Sequence, residues 1–280
     1  VTQSSGTSAS TVAKKKKKRK SARNSDKHDL YQAAVQNVEV EVDFLDKTFR
    51  SLRGTTPQTL LEDFCGTALL CREWVQRGPK RKASGVDIDR RVLTWGLTEI
   101  HKELGPAAKR ISLYERDVRE RIPGRYDAAV ALNFSYWVFK TRADMLGYFK
   151  NVHRHLNKKG VLFLDAYGGS EAWEQIEERR RVEGGFTYVW DQASFDPITH
   201  DIVNHIHFEF RDRSKMNFAF TYRWRFWTLP ELRELLEEAG FSKVHVYWDH
   251  AESDKDPEDF RPTRHVKSQP GFITYLVALR

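Results

Sequence analysis

The sequence predicts an α/β fold: a mostly parallel, seven-stranded sheet with helices on both faces, plus an antiparallel three-stranded insert. Three observations carry this. Strand-like and helix-like stretches alternate from about residue 58 to residue 170, the pattern of a parallel sheet with crossover helices. Within that region "YDAAVALNFSY" and "VLFLDAY" are nearly uncharged, as strands buried on both faces are. From Gly184 to Trp227 the alternation stops, and "FTYVWDQASFD", "DIVNHIHFEF" and "MNFAFTYRWRFW" follow one another with only turn signals between them, which indicates an antiparallel unit.

Each element has a local reason. "HDLYQAAVQNVEVEVDFLDKTFRSLRG" has largely helical spacing and is stopped by Gly54 and Pro57. "TLLEDF" reads as a buried strand, and "TALLCREWVQRG" as a short helix closed by Gly78. "KASGVDID" is a second strand, followed by "RRVLTWGLTEIHKELG", a helix ending at Gly105. "RISLYERDV" is a third strand, and "RADMLGYFKNVHRHLNKKG" is the helix between the two uncharged strands. After the insert, "LPELRELLEEAG" is a helix with Pro230 in its first turn and Gly240 as its stop. "FSKVHVYWD" and "GFITYLVALR" close the sheet, with a charged loop between them.

Charge is distributed unevenly. The net charge is +8 over 280 residues, yet residues 1–27 alone hold nine Lys or Arg against one Asp. Residues 28–280 are therefore formally neutral. We divide the chain into a basic tail at 1–27, expected to be disordered, and a domain at 28–280 with its insert at 184–227. The run at 14–20, "KKKKKRK", reads as a solvated tail, a weak polyanion contact or a nuclear address. A neutral body argues against an extended nucleic-acid substrate, which needs a basic stripe beside the catalytic mouth. No apolar run is long enough to cross a bilayer, so no membrane contact is expected. With two cysteines, Cys65 and Cys71, neither a disulfide framework nor a structural metal site is expected, and a cytoplasmic location follows.

"LLEDFCGTALL" (60–70) joins the first strand to a helix through an acid, Glu62, and one glycine, Gly66. In open α/β sheets, ligands bind beyond the carboxyl ends of the strands, and such a loop needs residues without side chains where a cofactor approaches the backbone. Asp87 ends the second strand 21 residues after Gly66, close to the ~20-residue offset of a ribose-binding acid. Asp117 follows the third strand.

Taken together, these residues resemble the class I S-adenosylmethionine-dependent methyltransferases, a Rossmann-like family. "EDFCGTA" resembles the first motif, acid-x-Gly-x-Gly-x-Gly, with Glu62 as its acid. "GVDID" resembles the second-strand motif and "ERDV" the adenine-side acid. "YDAAVALNFSYWVF" and "LNKKGVLFLDAYGG" resemble the fourth- and fifth-strand motifs, and "LPELRELLEEAGFSKVHV" the ending of small-molecule members. The likeness spans about residues 58–170 and 228–280. The family's first and third glycines fall on Phe64 and Ala68 here, which implies either a different backbone path or a weakened site.

The resemblance implies S-adenosylmethionine as cofactor. It places Glu62 at the loop and the methionine amino group, and Gly66 beneath the cofactor. Asp87 would hold the ribose and Ile88 flank the adenine, with Asp117 and Val118 at the adenine amino group and ring. Asn133 would face the methionine portion and the reacting methyl.

The candidate substrate wall comprises Tyr31, Phe134, Ser135 and Tyr167. Asn133, Tyr136 and Asp165 are the catalytic candidates, although Asp165 is equally suited to capping a nearby backbone. In the insert, Phe218, Phe220, Tyr222, Trp224 and Phe226 alternate with polar residues, giving an aromatic face. Arg223 and Arg225 share the other face, as a candidate clamp for a carboxylate or phosphate. The expected function is in-line methyl transfer to a small molecule. The alternatives are a nucleic-acid or protein methyltransferase recruited by the tail, and a non-catalytic scaffold with a degenerate loop.

Overall fold

A computed structural model describes residues 20–251 and 258–280. The parallel core begins with β1 (Thr59–Asp63), α3 (Leu69–Gln76), β2 (Lys82–Asp87), α4 (Arg90–Leu104) and β3 (Ile111–Glu115). It continues through β4 (Tyr126–Ala131), α5 (Arg142–His155) and β5 (Leu156–Gly168). After the insert come α6 (Leu229–Glu238), β10 (Lys243–Asp249), β11 (Phe260–Pro262) and β12 (Phe272–Leu279). The strand order is β11-β10-β12-β5-β4-β1-β2-β3. The seven expected strands are thus joined by a three-residue edge strand, β11. Pairings among β1 to β5 are parallel, and β12 runs antiparallel to both β5 and β10.

Strand alternation sends successive residues to opposite faces, and both faces are covered. Leu60, Val130 and Phe163 pack under α3, α4 and α2 (Val38–Arg53), whereas Leu61, Ala129 and Leu162 pack under α5 and α6. The single long N-terminal helix expected from spacing is two. α1 (Lys27–Val35) ends where Gln36 turns extended, and α2 starts again from Asn37.

The insert also differs from expectation. It has four strands, not three, and starts at Glu177 rather than Gly184: β6 (Glu177–Val182), β7 (Phe186–Phe195), β8 (Asp201–Phe210) and β9 (Lys215–Arg225), in that order in the sheet. The sequence "EERRRV" of β6 hides it, because this edge strand is exposed except at Val182. A second departure lies in β9. A bulge opposite His207 puts Phe218 in the left-handed region (φ 51°) and turns its ring to His205 and His207. Phe218 therefore leaves the aromatic face and is exposed.

The boundary drawn at Lys27 also moves. Ala22 donates its amide to Ser214 Oγ, Lys20 lies over the Phe186 ring, and Asp26 caps α1 through the His28 amide. Residues 20–27 thus pack on the insert. Residues 1–19, and with them all of the 14–20 run except Lys20, lie outside the described residues. Among the described residues no helix is long and apolar enough to cross a membrane.

Candidate functional site

The strand order reverses between β1 and β4, and this switch point is where an open α/β sheet offers a crevice to a ligand. Two loops meet there, residues 64–68 after β1 and residues 132–138 after β4.

Phe64, Gly66 and Ala68 all adopt positive φ (56°, 52° and 55°). The backbone therefore keeps left-handed turns at all three positions where the first motif has glycine, although two of them carry side chains. Left-handed geometry costs an ordinary residue roughly 1–2 kcal/mol, so the surrounding structure must hold the loop. The Cys65 amide bonds to Val86 O (2.9 Å) and the Ala68 amide to Cys65 O (2.7 Å). The Gly66 amide bonds to Asp87 Oδ2 (2.8 Å), and Gln32 of α1 donates to Thr67 Oγ1 (2.7 Å). Glu62 accepts from the Cys71 amide at the start of α3 (2.9 Å), satisfying one of the open donors of that helix. The Phe64 ring lies against Phe139 and Tyr148.

Two glycines that the sequence reading passed over make this packing possible. A Cβ on Gly96, in the middle of α4, would stand 2.3 Å from Thr67 O, and one on Gly85 would stand 2.8 Å from Cys65 Sγ. Gly96 could have been noticed, because an interior helical glycine costs about 1 kcal/mol relative to alanine and needs a packing reason.

Asn133 and Phe134 both have φ 57°. Asp165 holds this turn through both oxygens, accepting from the Asn133 amide (2.6 Å) and the Phe134 amide (2.9 Å). Of the two roles open to Asp165, backbone capping is the one its geometry performs. Tyr136 is corrected from catalytic candidate to core: it is fully buried and donates to Asp165 O (2.7 Å). Ser135 Oγ donates to Leu132 O (2.9 Å), a bond within the turn. The insert arginines are corrected too. Arg225 is bound to Glu231 (2.9 Å) and lies over the Trp227 ring. Arg223 is exposed on the face opposite Tyr222 and Trp224.

Ile88 is 74% exposed, a large apolar side chain left open beside Asp87. Val118 is buried, and Asp117 is held by Arg119, whose guanidinium keeps its carboxyl below the usual range. At the other end of the groove a cavity of about 20 Å³ is lined by Gln36, Glu41, Glu62, Asp63, Phe64 and Asn133, among others. Gln36 Oε1 is buried there without a partner. Tyr31, Phe134 and Tyr167 come together with the insert: Phe134 packs on Tyr167 and Trp224, and Tyr31 on Phe220 and Tyr222. Asn204 of β8 joins them, although no motif marks it. It is a buried polar residue on the otherwise apolar inner face of β8, 3.4 Å from the Tyr167 hydroxyl. Its signal was the break in Ile202, Asn204, Ile206, Phe208, Phe210. Among the described residues no group of three or more His, Cys, Asp or Glu is placed to hold a metal ion.

Burial raises the carboxyls of Glu62, Asp63 and Asp165 to about 7 and that of Glu41 to about 8. A carboxyl that keeps its proton when folded but loses it when unfolded destabilises the fold as pH rises. For Asp63, stability is lost from its ordinary value of 3.8 up to about 7. Thermal melts should show Tm falling between pH 5 and pH 8. Asp63→Asn keeps an acceptor for the Tyr148 hydroxyl (3.0 Å) and should make that fall shallower. Burial also pushes up both thiols, Cys65 and Cys71, which makes them poor nucleophiles.

No protein-family model matches the chain. YqeM of Bacillus subtilis (strain 168), provisionally named a methyltransferase, is 22% identical over 209 residues, 72% of this chain and 81% of its own. A solved S-adenosylmethionine-dependent methyltransferase from Clostridium acetobutylicum ATCC 824 superposes with a TM-score of 0.65 at 18% identity, covering 90% of this chain and 97% of that one. CalS10, an amino pentose methyltransferase of Micromonospora echinaspora solved with S-adenosylmethionine bound, gives 0.63 at 17% identity over 90% and 95%. The sugar N-methyltransferase KedS8 of Streptoalloteichus sp ATCC 53650 gives 0.62 at 16% over 99% of both chains. The fold is that of the S-adenosylmethionine-dependent methyltransferases: a Rossmann-like, mostly parallel sheet with a separate antiparallel sheet inserted.

Proposed function

We propose that the chain is an S-adenosylmethionine-dependent methyltransferase acting on a small-molecule acceptor. The observation that carries this is the loop at 64–68, with left-handed backbone at Phe64, Gly66 and Ala68 and the Gly66 amide on Asp87. The residues fit the cofactor. A Cβ on Gly66 would meet nothing within 4 Å, so the space above it is open. Ile88 offers an uncovered apolar surface for a flat ring, and the orphaned Gln36 oxygen is an acceptor for an ammonium group.

In this reading Asp87 turns its remaining acceptor capacity to the ribose hydroxyls while keeping the loop in place. Ile88, Val118 and Asp117 border the adenine. Glu62, Gln36 and Asn133 surround the methionine portion. When bound, S-adenosylmethionine supplies an electrophilic methyl on a sulfonium whose charge is lost on transfer. The protein's task is then to align the acceptor and exclude water. The insert, with its inner face over the ends of β4 and β5, serves as the lid. Asp165 is buried beneath the turn after β4, which it caps, and this reading assigns it the positioning of that turn. The names of CalS10 and KedS8, an amino pentose and a sugar N-methyltransferase, support a compact acceptor, as does the formal neutrality of residues 28–280.

Incubation with methyl-labelled S-adenosylmethionine and a cell extract tests the acceptor class. Label should be recovered in the low-molecular-weight fraction; label confined to protein or nucleic acid would overturn the proposal. Gly66→Ala probes the cradle. The fold should tolerate it at about 1–2 kcal/mol of backbone strain, because the new methyl meets no protein atom. In calorimetric titration, affinity for S-adenosylmethionine should fall at least ~10-fold, since the methyl enters the space reserved for the ligand.

A further inference from the structure

We propose that the methyl acceptor is an amine, held on a row of aromatic and uncharged polar side chains formed by Tyr31, Asn204, Tyr222 and Tyr167. The inference rests on the methyltransferase reading and names the substrate class of that same site.

The row runs across the inner face of the insert. Asn204 of β8 stands directly opposite Tyr222 of β9 in the sheet register. Asn204 reaches the Tyr167 hydroxyl at the end of β5 (3.4 Å), and the Tyr31 hydroxyl of α1 is directed at that of Tyr222. The row therefore links α1, the insert and the end of β5. Phe134, which follows Asn133 at the end of β4, packs on Tyr167, so the row borders the place where the methyl would be presented. Elsewhere the buried positions of β8 are apolar: Ile202, Ile206, Phe208 and Phe210. A polar pair midway along such a face costs stability unless it has partners, and two long-range partners meet it here.

The chemistry of the row selects among acceptors. Aromatic rings surround it, with Tyr222 stacked on Trp224 (4.4 Å between centroids) and Trp190 beside Tyr222. Ring faces attract cations and do nothing for carboxylates. The carboxyl that acts on the Tyr31 hydroxyl is that of Asp165. Three cations on this face, Lys27 over the Phe220 ring, Arg180 over Tyr188 and Lys20 over Phe186, lie two, four and six register pairs further toward the hairpin tip. Arg180 is in addition bound to the Ala34 carbonyl. Arg223 and Arg225, which a carboxylate or phosphate would require, point elsewhere, as described above. A carboxylate acceptor would be desolvated here without a counter-charge, whereas an amine meets phenol oxygens, the Asn204 amide and ring faces.

The reaction balances without a further reactant. In its neutral form the amine forms the new N–C bond with its lone pair. The C–S bond breaks with its electrons left on sulfur, giving a thioether and an N-methylammonium that releases one proton to solvent.

The test uses the full chain saturated with S-adenosylhomocysteine and titrated calorimetrically with two probes of matched shape, benzylamine and benzoate. Benzylamine should bind saturably and benzoate should not. Tyr222→Phe, which keeps the ring and its packing, and Asn204→Leu should each weaken benzylamine at least ~5-fold, the loss of one hydrogen bond. Affinity for S-adenosylhomocysteine should be unchanged in both. Benzoate binding as tightly as benzylamine, no benzylamine binding, or equal benzylamine binding in all three proteins overturns the inference while leaving the cofactor reading intact. Failure of S-adenosylhomocysteine itself to bind overturns the cofactor reading, and the inference with it.

Discussion

Asp87→Ala is expected to raise the dissociation constant for S-adenosylmethionine at least ~100-fold, because charge-assisted hydrogen bonds to a carboxylate contribute about 1.5–3 kcal/mol each. The carboxylate does two jobs at once. Oδ2 accepts the Gly66 amide (2.8 Å) and Oδ1 the Asp89 amide (2.9 Å), fixing the cofactor loop to the start of α4. Its remaining lone pairs are the acceptors proposed for the ribose. Alanine loses both functions, whereas Asp87→Asn retains an acceptor for one amide and should fall between the two. Far-UV circular dichroism should be unchanged, since Asp87 lies at a strand end outside the apolar core. Retained affinity in Asp87→Ala would remove the ribose contact from the account.

Gly96→Ala is expected to weaken both the fold and cofactor binding although the residue lies in the middle of α4, behind the loop. The added methyl would stand 2.3 Å from Thr67 O and 2.7 Å from the Thr67 carbonyl carbon. These are backbone atoms, so no side-chain rotation relieves the contact. Overpacking of this kind costs about 1–3 kcal/mol, and the movement falls on the loop between Gly66 and Ala68. Denaturant unfolding should show that loss, with cofactor affinity reduced at least ~10-fold through displacement of the loop amides. Gly147→Ala in α5 is the control: its added Cβ meets nothing within 4 Å, and the substitution should stabilise the helix by up to about 1 kcal/mol.

The core sheet was legible in the sequence because its strands are buried on both faces and leave uncharged runs bounded by turn residues. The place of Asp87 at the end of the second strand was legible in the sequence; its bond to the Gly66 amide was not. Three features were not legible, each for a physical reason. The charged strand β6 is exposed along nearly its whole length, so no apolar alternation marks it. The turn at Phe218 depends on a bulge set by its pairing with β8, which a single-strand pattern does not contain. The left-handed loop at Phe64 and Ala68 contradicts the glycine rule, because the cost of those conformations is met by distant contacts: Asp87, Gln32 and the close approach of Gly96. The roles read for Tyr136 and Arg225 fail for one cause. A motif position says which strand end a residue occupies, but not whether its polar atoms are already taken by a neighbour.

The central claim is that the loop from Phe64 to Ala68 cradles S-adenosylmethionine although it keeps only one of the three glycines. Calorimetric titration of the purified chain with S-adenosylmethionine tests this most directly. The account predicts saturable one-to-one binding with micromolar affinity. An absence of binding heat at millimolar ligand, in a chain that still unfolds cooperatively, would contradict it: Phe64 and Ala68 would then have closed the crevice, and the chain would be a scaffold in a methyltransferase fold.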